Sequence, residues 1–286
     1  MPPKLAPPPR RVPLSLRVHN VFGGFAQVGW FLFGFGMIFV WVFAANSDLS
    51  FVTFTGPYDI VSARVTQVEA TGASEGSGGS TETVMANDYQ YSVAGRTLTG
   101  TSYSTGQAVS PGQVVDVQVD PDEPERSRII GQRRAVFGPF GLIAIVFPAL
   151  GAIFLAVGAM KGGRRIALLQ RGLLAEGKFV SSRPTNVKVN RQRVHELTFA
   201  FTARDGRRYE MKTQTHDTAR LRDDAREPLL YDPEDPAFAY LLDETPARPR
   251  FDAHGELQPR LVSFALLLLP LIVLLGHGVW MASQLG

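Results

Sequence analysis

Three long stretches of the chain are almost purely apolar, and the rest is polar. They are residues 21–45, 135–160 and 261–282, which contain no Asp, Glu, Lys or Arg over 25, 26 and 22 positions, respectively. A helix needs roughly 20 apolar residues to cross the hydrocarbon core of a bilayer, whereas a buried helix of a soluble protein would be shorter and would carry a polar stripe. The sequence therefore predicts three transmembrane helices.

The two polar segments that separate these stretches show the alternation typical of β-strands. In the first segment, apolar residues occupy every second position of two runs, namely Tyr89, Tyr91 and Val93, and Val115, Val117 and Val119. In the second, Asp205-Gly206 is a hairpin turn signal. Each segment is predicted to be a small antiparallel sheet or barrel of about five strands. The predicted fold class is membrane α plus all-β.

The two polar segments resemble each other in the order and spacing of their features. Each has an Asp-Pro-x-x-Pro stretch, at Asp120–Pro124 and at Asp232–Pro236, and the offset between equivalent features stays between about 110 and 114 residues. This pattern indicates an internal repeat. The Asp-Pro stretches are predicted to be structural turns, with Asp capping the backbone and Pro fixing φ. Residues 72–80, rich in Gly and Ser, are predicted to be a flexible loop inserted in the first copy only.

These patterns divide the chain into seven parts. They are a Pro-rich basic tail predicted to be disordered (1–20), a transmembrane helix (21–45), a first β module (46–134), a second helix (135–160), a second β module (161–245), a linker (246–260) and a third helix (261–282).

The distribution of Lys and Arg near the ends of the first and third helices favours one orientation, whereas the second helix has four such residues on each side. Residues 1–20 contain four basic residues and residues 46–62 none; three precede the third helix and none follows it. The first module holds 6 basic and 11 acidic residues, and residues 161–260 hold 19 basic and 15 acidic. We expect the N-terminus and the second module to be cytoplasmic, and the first module and the C-terminus to lie outside. Arg133 and Arg134 are the feature against this orientation.

Small residues predict which helices pack together. Gly29 and Gly36 share one face of the first helix, and Ala144, Gly151 and Gly158 share one face of the second. Small residues let helix backbones approach, and packing rather than hydrophobicity drives helix association in lipid. We expect the first two helices to pack closely and the leucine-rich third to be held more loosely.

No chemistry of a catalytic or metal site emerges from the sequence. There is no Cys, and the net charge of +3, with a pI of about 9.3, is too small to indicate a nucleic-acid partner. No two of the five histidines have the spacing of a helical metal site; they are His19, His195, His216, His254 and His277. His216-Asp217 is a possible ligand pair, but a solvated loop is the better interpretation, and the acid-rich turns are better explained by capping. We predict no catalytic, cofactor-binding or metal residue.

One resemblance to a known family rests on a few of these residues. An apolar span precedes a β module that begins with a strand of the pattern Val-x-Gly/Ala-x-Val, as at Val61–Val65, and ends in Tyr-Asp-Pro-x-x-Pro, as at Tyr231–Pro236, before a further span. This arrangement resembles the bacterial membrane-protein family catalogued as domain of unknown function 3592. The second module matches this pattern better, because the first has Val119 where the Tyr would stand. The resemblance covers most of residues 55–245. It implies a bacterial envelope protein and no particular activity.

The leading functional hypothesis is a non-catalytic, multi-pass protein of the bacterial inner membrane whose β modules mediate interaction or assembly. Its expected partners are the lipid bilayer and a protein or a second copy of the chain. A homo-oligomeric transport or channel component and an enzyme with an unrecognised site are the alternatives. Three spans in one chain cannot enclose a pore, and spans without charges offer no selectivity residues.

Overall fold

The computed structural model describes residues 5–77, 80–106, 109–189, 191–215, 218, 221, 226–244 and 249–285. The chain divides into two compact units. One comprises Met1–Gly34 and Leu150–Gly286, and the other comprises Phe35–Ala149. Each unit contains one β-sheet.

The α-helices are α1 (Leu14–Phe22), α2 (Phe25–Phe39), α3 (Ser50–Thr53), α4 (Val146–Arg171) and α5 (Leu268–Leu285). A π-helical segment (Val40–Ala44) extends α2. A 3-10 helix precedes α4 (Pro139–Ile145), and another precedes α5 (Leu261–Leu267). Within the described residues, three helical stretches are long and apolar enough to cross a membrane: Phe25–Ala44, Pro139–Arg171 and Leu261–Gln284. Gly24, with φ +56°, lies at the break between α1 and α2. Helix α4 continues past Met160, where the apolar run ends, to Arg171.

The first sheet lies in the unit formed by Phe35–Ala149. Its strands are β1 (Asp59–Ser77), β2 (Ser80–Val93), β3 (Arg96–Thr105), β4 (Val114–Val119) and β5 (Ser127–Ile129), in the order β3-β2-β1-β4-β5. All neighbouring strands are antiparallel. Tyr89, Tyr91, Val117, Val119 and Ile129 form its apolar core.

The second sheet lies in the other unit and has the same strand order. Its strands are β6 (Leu173–Val189), β7 (Gln192–Thr202), β8 (Arg208–Thr215), β9 (Glu227–Tyr231) and β10 (Ala239–Leu241), in the order β8-β7-β6-β9-β10. Its core contains Leu197, Phe199, Leu229 and Tyr231. The predicted combination of three helices and two five-stranded antiparallel modules is confirmed. Of the two forms predicted for a module, the sheet is observed, since neither sheet closes into a barrel.

The first hairpin of each sheet is irregular at corresponding places. The register of β1 and β2 shifts between Ala70 and Ser74, and that of β6 and β7 shifts between Pro184 and Lys188. A threonine hydroxyl donates across each irregularity, from Thr71 Oγ1 to Val84 O and from Thr185 Oγ1 to Val194 O, both at 2.9 Å. These hydrogen bonds replace backbone partners that a bulge removes from the ladder.

The predicted flexible loop at residues 72–80 is wrong for the part that the structure describes. Residues up to Ser77 belong to β1, and β2 begins at Ser80, with Ser74↔Thr83 and Glu75↔Glu82 among the paired residues. Pairing supplies backbone hydrogen bonds that composition alone does not reveal. The second module carries a comparable hairpin at 185–193, so the hairpin is not peculiar to the first module.

The predicted disordered tail is also wrong for residues 5–20. Val12 and Leu16 are buried in a cluster with Leu169 of α4 and Leu230 of β9. Arg10 is 4% exposed, and its guanidinium donates to the carbonyls of Ala6, Leu169 and Gly172. These carbonyls satisfy a charged group that would otherwise be costly to bury. This packing requires the N-terminal segment and the second module to be on the same side of a bilayer.

The predicted close packing of the first two membrane helices is confirmed. A Cβ atom at Gly29 would lie 2.8 Å from Leu155 N and 2.9 Å from Gly151 O, and one at Gly151 would lie 2.5 Å from Phe33 N. In the other unit, a Cβ at Gly36 would lie 2.7 Å from Pro148 N. The glycines therefore allow backbone-to-backbone contact.

The third helix contacts the first more directly than its leucine-rich sequence suggests. Val273 packs on Gly34, where an added Cβ would clash with it. Gln27 Nε2 donates to Leu266 O at 2.8 Å, and His277 Nε2 lies 3.0 Å from Gly34 O. The small residue that permits this contact belongs to the first helix, so the sequence of the third helix alone does not predict it.

Candidate functional site

A pocket of about 1080 Å³ lies within the unit formed by Phe35–Ala149. Two kinds of surface line it: an apolar wall from the ends of the first two membrane stretches, and a polar rim from the first β module. The lining residues are Phe39, Phe43, Ser74–Gly76, Glu82, Thr105, Arg133, Phe137–Gly141, Ile143, Ala144 and Phe147. Its size and its mixture of an apolar wall with a few polar groups are typical of a small-molecule site.

Aromatic side chains build the apolar wall. The rings of Phe43 and Phe137 have centroids 5.0 Å apart, and those of Phe39 and Phe147 are 6.3 Å apart. Phe140 is 88% exposed. An exposed phenylalanine in an otherwise uncharged stretch is unfavourable in water and favourable in a bilayer. This wall is therefore suited to hydrocarbon.

Arg133 organises the polar rim. Its guanidinium donates to Glu75 Oε2 at 2.7 Å, to Thr105 Oγ1 at 3.1 Å and to the carbonyl of Val136 at 3.1 Å. Glu75 Oε1 also accepts from the N–H of Gly138 at 3.2 Å. Partial burial alone would raise the pKa of Glu75, but the hydrogen bonds from Arg133 and Gly138 and the positive charge of Arg133 outweigh it and lower that pKa.

A second carboxylate faces the same pocket without a counter-charge. Glu82 lies directly opposite Glu75 in the β1–β2 ladder, and like charges at such positions repel each other. Arg133 forms its ion pair with Glu75. The carboxylate of Glu82 has no hydrogen-bond or ion-pair partner within the described part of the chain. Gly106, with φ +75°, brings its backbone close to this carboxylate. The rim therefore has an excess of one negative charge.

The β6–β7 hairpin forms a second distinctive surface, which we call the β6–β7 ribbon. Residues 178–195 contain five basic residues and no acidic one. Lys188 lies directly opposite Arg193 in the ladder, and Val187 and Val189 are exposed on the same ribbon. Among the residues that the structure describes, none forms an ion pair with Lys188 or Arg193.

The four histidines that the structure describes do not converge on a site. His195 lies in β7, with Nδ1 3.1 Å from Ser182 Oγ, and His19 Nδ1 lies 3.2 Å from Ser263 Oγ. His254 lies in a turn beside Asp252, and His277 faces the backbone of Gly34. His216 and Asp217 lie outside the described residues. Across the ranges that are described, no three His, Asp or Glu residues are grouped as a metal site would require.

The acid-rich stretches are turns, as predicted. Asp232 Oδ1 accepts from the N–H of Glu234 at 3.1 Å, and Asp120 Oδ1 accepts from that of Asp122 at 3.0 Å. The two turns also share a backbone hydrogen bond: the N–H of Asp120 donates to Arg126 O, and the N–H of Asp232 donates to Phe238 O, both at 3.0 Å. Asp232 also accepts from Arg171 Nη2 at 2.8 Å. Capping accounts for both aspartates.

Comparison with known families finds a similarity over part of the chain. Residues 61–134 match the family described as Domain of unknown function (DUF3592). The match covers β1 to β5 of the first module apart from the first two residues of β1, whereas the sequence pattern favoured the second module. It supports the resemblance to this family and does not extend to the second module. No curated protein matches the chain.

Proposed function

We propose that this chain is a non-catalytic membrane protein of the bacterial inner membrane whose β modules mediate interaction or assembly. The observation that carries the proposal is the β6–β7 ribbon. It places Lys188 opposite Arg193, an arrangement that costs stability in the isolated protein. An acidic partner surface would offset this repulsion, and the exposed Val187 and Val189 would supply apolar contact. The proposed partner is therefore a protein with an acidic surface.

The two modules are proposed to be copies of one ancestral unit. Support comes from their identical strand order, from the threonine-bridged irregularities at Thr71 and Thr185, and from the matching turns at Asp120 and Asp232. The offsets between these pairs are 114 and 112 residues, which is the range observed in the sequence. An evolutionary copy would explain why such local details recur along with the topology.

The proposed orientation places the N-terminus and the second module in the cytoplasm. Arg133 and Arg134, which oppose it, are both engaged within the first module. Arg133 binds Glu75, and the Arg134 guanidinium lies 5.1 Å from the ring centroid of Phe54. Engaged side chains have a structural reason to be present, so their position weighs less against the orientation.

The proposal is tested by photo-crosslinking in intact cells. A photoreactive amino acid at Val187 is expected to give a discrete crosslinked protein, whereas one at exposed Glu210 of the same module is not. The double variant Lys188→Glu and Arg193→Glu should abolish the crosslink while leaving the like-charge repulsion in the ribbon unchanged. The matched control reverses two exposed arginines elsewhere in the module, Arg204→Glu and Arg208→Glu, and should retain it.

Differently tagged copies of the chain, expressed together, decide whether the partner is a second copy. Absence of a discrete species at Val187, or a crosslink that survives the double reversal, would refute the proposed contact. A closed ring of several tagged copies would instead favour the transport alternative.

A further inference from the structure

We propose that the pocket beside Arg133 binds a phospholipid whose headgroup carries a primary amine. This site is separate from the β6–β7 ribbon, and the inference does not depend on the protein contact proposed there. It rests on three features of the pocket: its wall, its uncompensated charge and the chemistry of its acceptors.

The wall selects a molecule with hydrocarbon chains. Phe140 is 88% and Ile143 is 70% exposed, and both belong to the stretch from Pro139 that is long and apolar enough to cross a bilayer. In a membrane, these side chains would contact acyl chains rather than water. A lipid can therefore occupy the wall without leaving the bilayer, whereas a soluble amine would leave the wall unfilled.

The rim selects a positive charge. Glu75 and Glu82 are cross-strand neighbours, and Arg133 compensates only the first of them. A cation beside Glu82 would remove the repulsion between the carboxylates and would itself gain a charge-assisted hydrogen bond. Glu82 is exposed, so a ligand reaches its carboxylate without displacing a side chain.

The chemistry of the acceptors favours a primary amine over a quaternary one. A primary ammonium has three N–H donors, as lysine does, whereas a trimethylated ammonium has none. Glu82 supplies carboxylate oxygens as acceptors at the rim. A quaternary ammonium is best recognised over the faces of several aromatic rings, and the aromatic rings here form the wall rather than the rim.

The test uses the purified full-length protein in lipid nanodiscs of phosphatidylcholine that contain a small fraction of a photoreactive lipid. Phosphatidylethanolamine and phosphatidylcholine with the same diazirine-bearing acyl chain are compared, and labelled residues are mapped by mass spectrometry. We expect the ethanolamine lipid to label residues 137–147. Labelling by the choline lipid should be about tenfold weaker, corresponding to the loss of one hydrogen bond to a charged group.

The variant Glu82→Gln should reduce labelling by the ethanolamine lipid to the level of the choline lipid. This change also relieves the repulsion with Glu75, so it should not unfold the module, and thermal unfolding of the variant checks this. Glu69→Gln, which makes the same change at a glutamate of β1 in the same hairpin, should leave labelling unaltered. Soluble glycerophosphoethanolamine, added in excess, should not displace the lipid.

Four results would overturn the inference. Equal labelling by the two lipids, or undiminished labelling of Glu82→Gln, would exclude recognition of the amine. Labelling spread equally over the exposed face of α5, including Leu271 and Leu275, would exclude a specific pocket. Displacement by the soluble headgroup would exclude a contribution from the acyl chains.

Discussion

Replacing Gly151 with alanine tests whether backbone contact between the first two membrane helices stabilises the protein. The new Cβ would lie 2.5 Å from Phe33 N and 2.8 Å from Gly29 O, well inside van der Waals contact. Both neighbours are backbone atoms, so the helices must separate. Overpacking of this kind costs about 1–3 kcal/mol, partly offset by about 0.5–1 kcal/mol that alanine contributes to a helix interior relative to glycine.

The third helix provides a matched control. A Cβ at Gly276 meets no atom within 4 Å, so Gly276→Ala should show only the helix-propensity gain. The difference in free energy of unfolding between the two variants isolates the steric cost, and we expect about 1–3 kcal/mol. Reversible unfolding of each variant in mixed detergent micelles, followed by circular dichroism, measures it. Equal stability of Gly151→Ala and Gly276→Ala would show that the close helix contact does not exist in the folded protein.

Three further predictions concern the modules. Asp232→Ala should lower the free energy of unfolding by about 1–2 kcal/mol, because it removes a turn cap and an acceptor for Arg171, whereas exposed Asp235→Ala should leave it nearly unchanged in denaturant titrations. The pKa of Glu75 is lowered in the folded state, so the ionised Glu75 side chain stabilises the fold. This contribution is complete when the pH is above the ordinary pKa of glutamate, and it is lost as the pH falls through the lowered pKa of the folded state. Unfolding measured across that acidic window should therefore depend less on pH in Glu75→Gln. Finally, in the otherwise Cys-free chain, Ser92→Cys should react with an impermeant maleimide in intact cells and Gln192→Cys should not; the reverse pattern would invert the proposed orientation.

Much of the fold could be predicted because its signals are local. An uninterrupted apolar run identifies a membrane helix, and alternation at Tyr89–Val93 and Val115–Val119 identifies β2 and β4. Alternation does not identify strands β3 and β8, because their inward positions are partly polar. In β3, Ser102 and Ser104 are buried, and in β8 Thr213 and Thr215 follow Met211 toward the interior. Alternation of apolar and polar residues cannot reveal a strand whose interior side is itself polar.

The pocket could not be predicted because it depends on contacts between distant positions. Glu75 lies within the Gly- and Ser-rich stretch 72–80, whose composition indicates a loop, and Glu82 lies just beyond it; only the β1–β2 register places them opposite each other. Arg133 is 58 residues beyond Glu75 in the chain. The one available signal was the presence of two basic residues, Arg133 and Arg134, at the end of the membrane stretch where the orientation rule disfavours them.

The interior of the first sheet is apolar at one end and polar at the other. Tyr89, Tyr91 and Val117 fill the apolar end, while Asn87 donates to Ser104 and Gln132, and its own side-chain oxygen is buried without a partner among the described residues. Burial of these polar groups contributes little to the free energy of folding, because their hydrogen bonds to each other replace hydrogen bonds to water. Transient local unfolding is therefore easiest at this end of the sheet. In hydrogen exchange, the amides of Ser102 and Ser104 should become deuterated before that of Val117. Local unfolding of the sheet would then begin at its polar end, while its aromatic end stays folded.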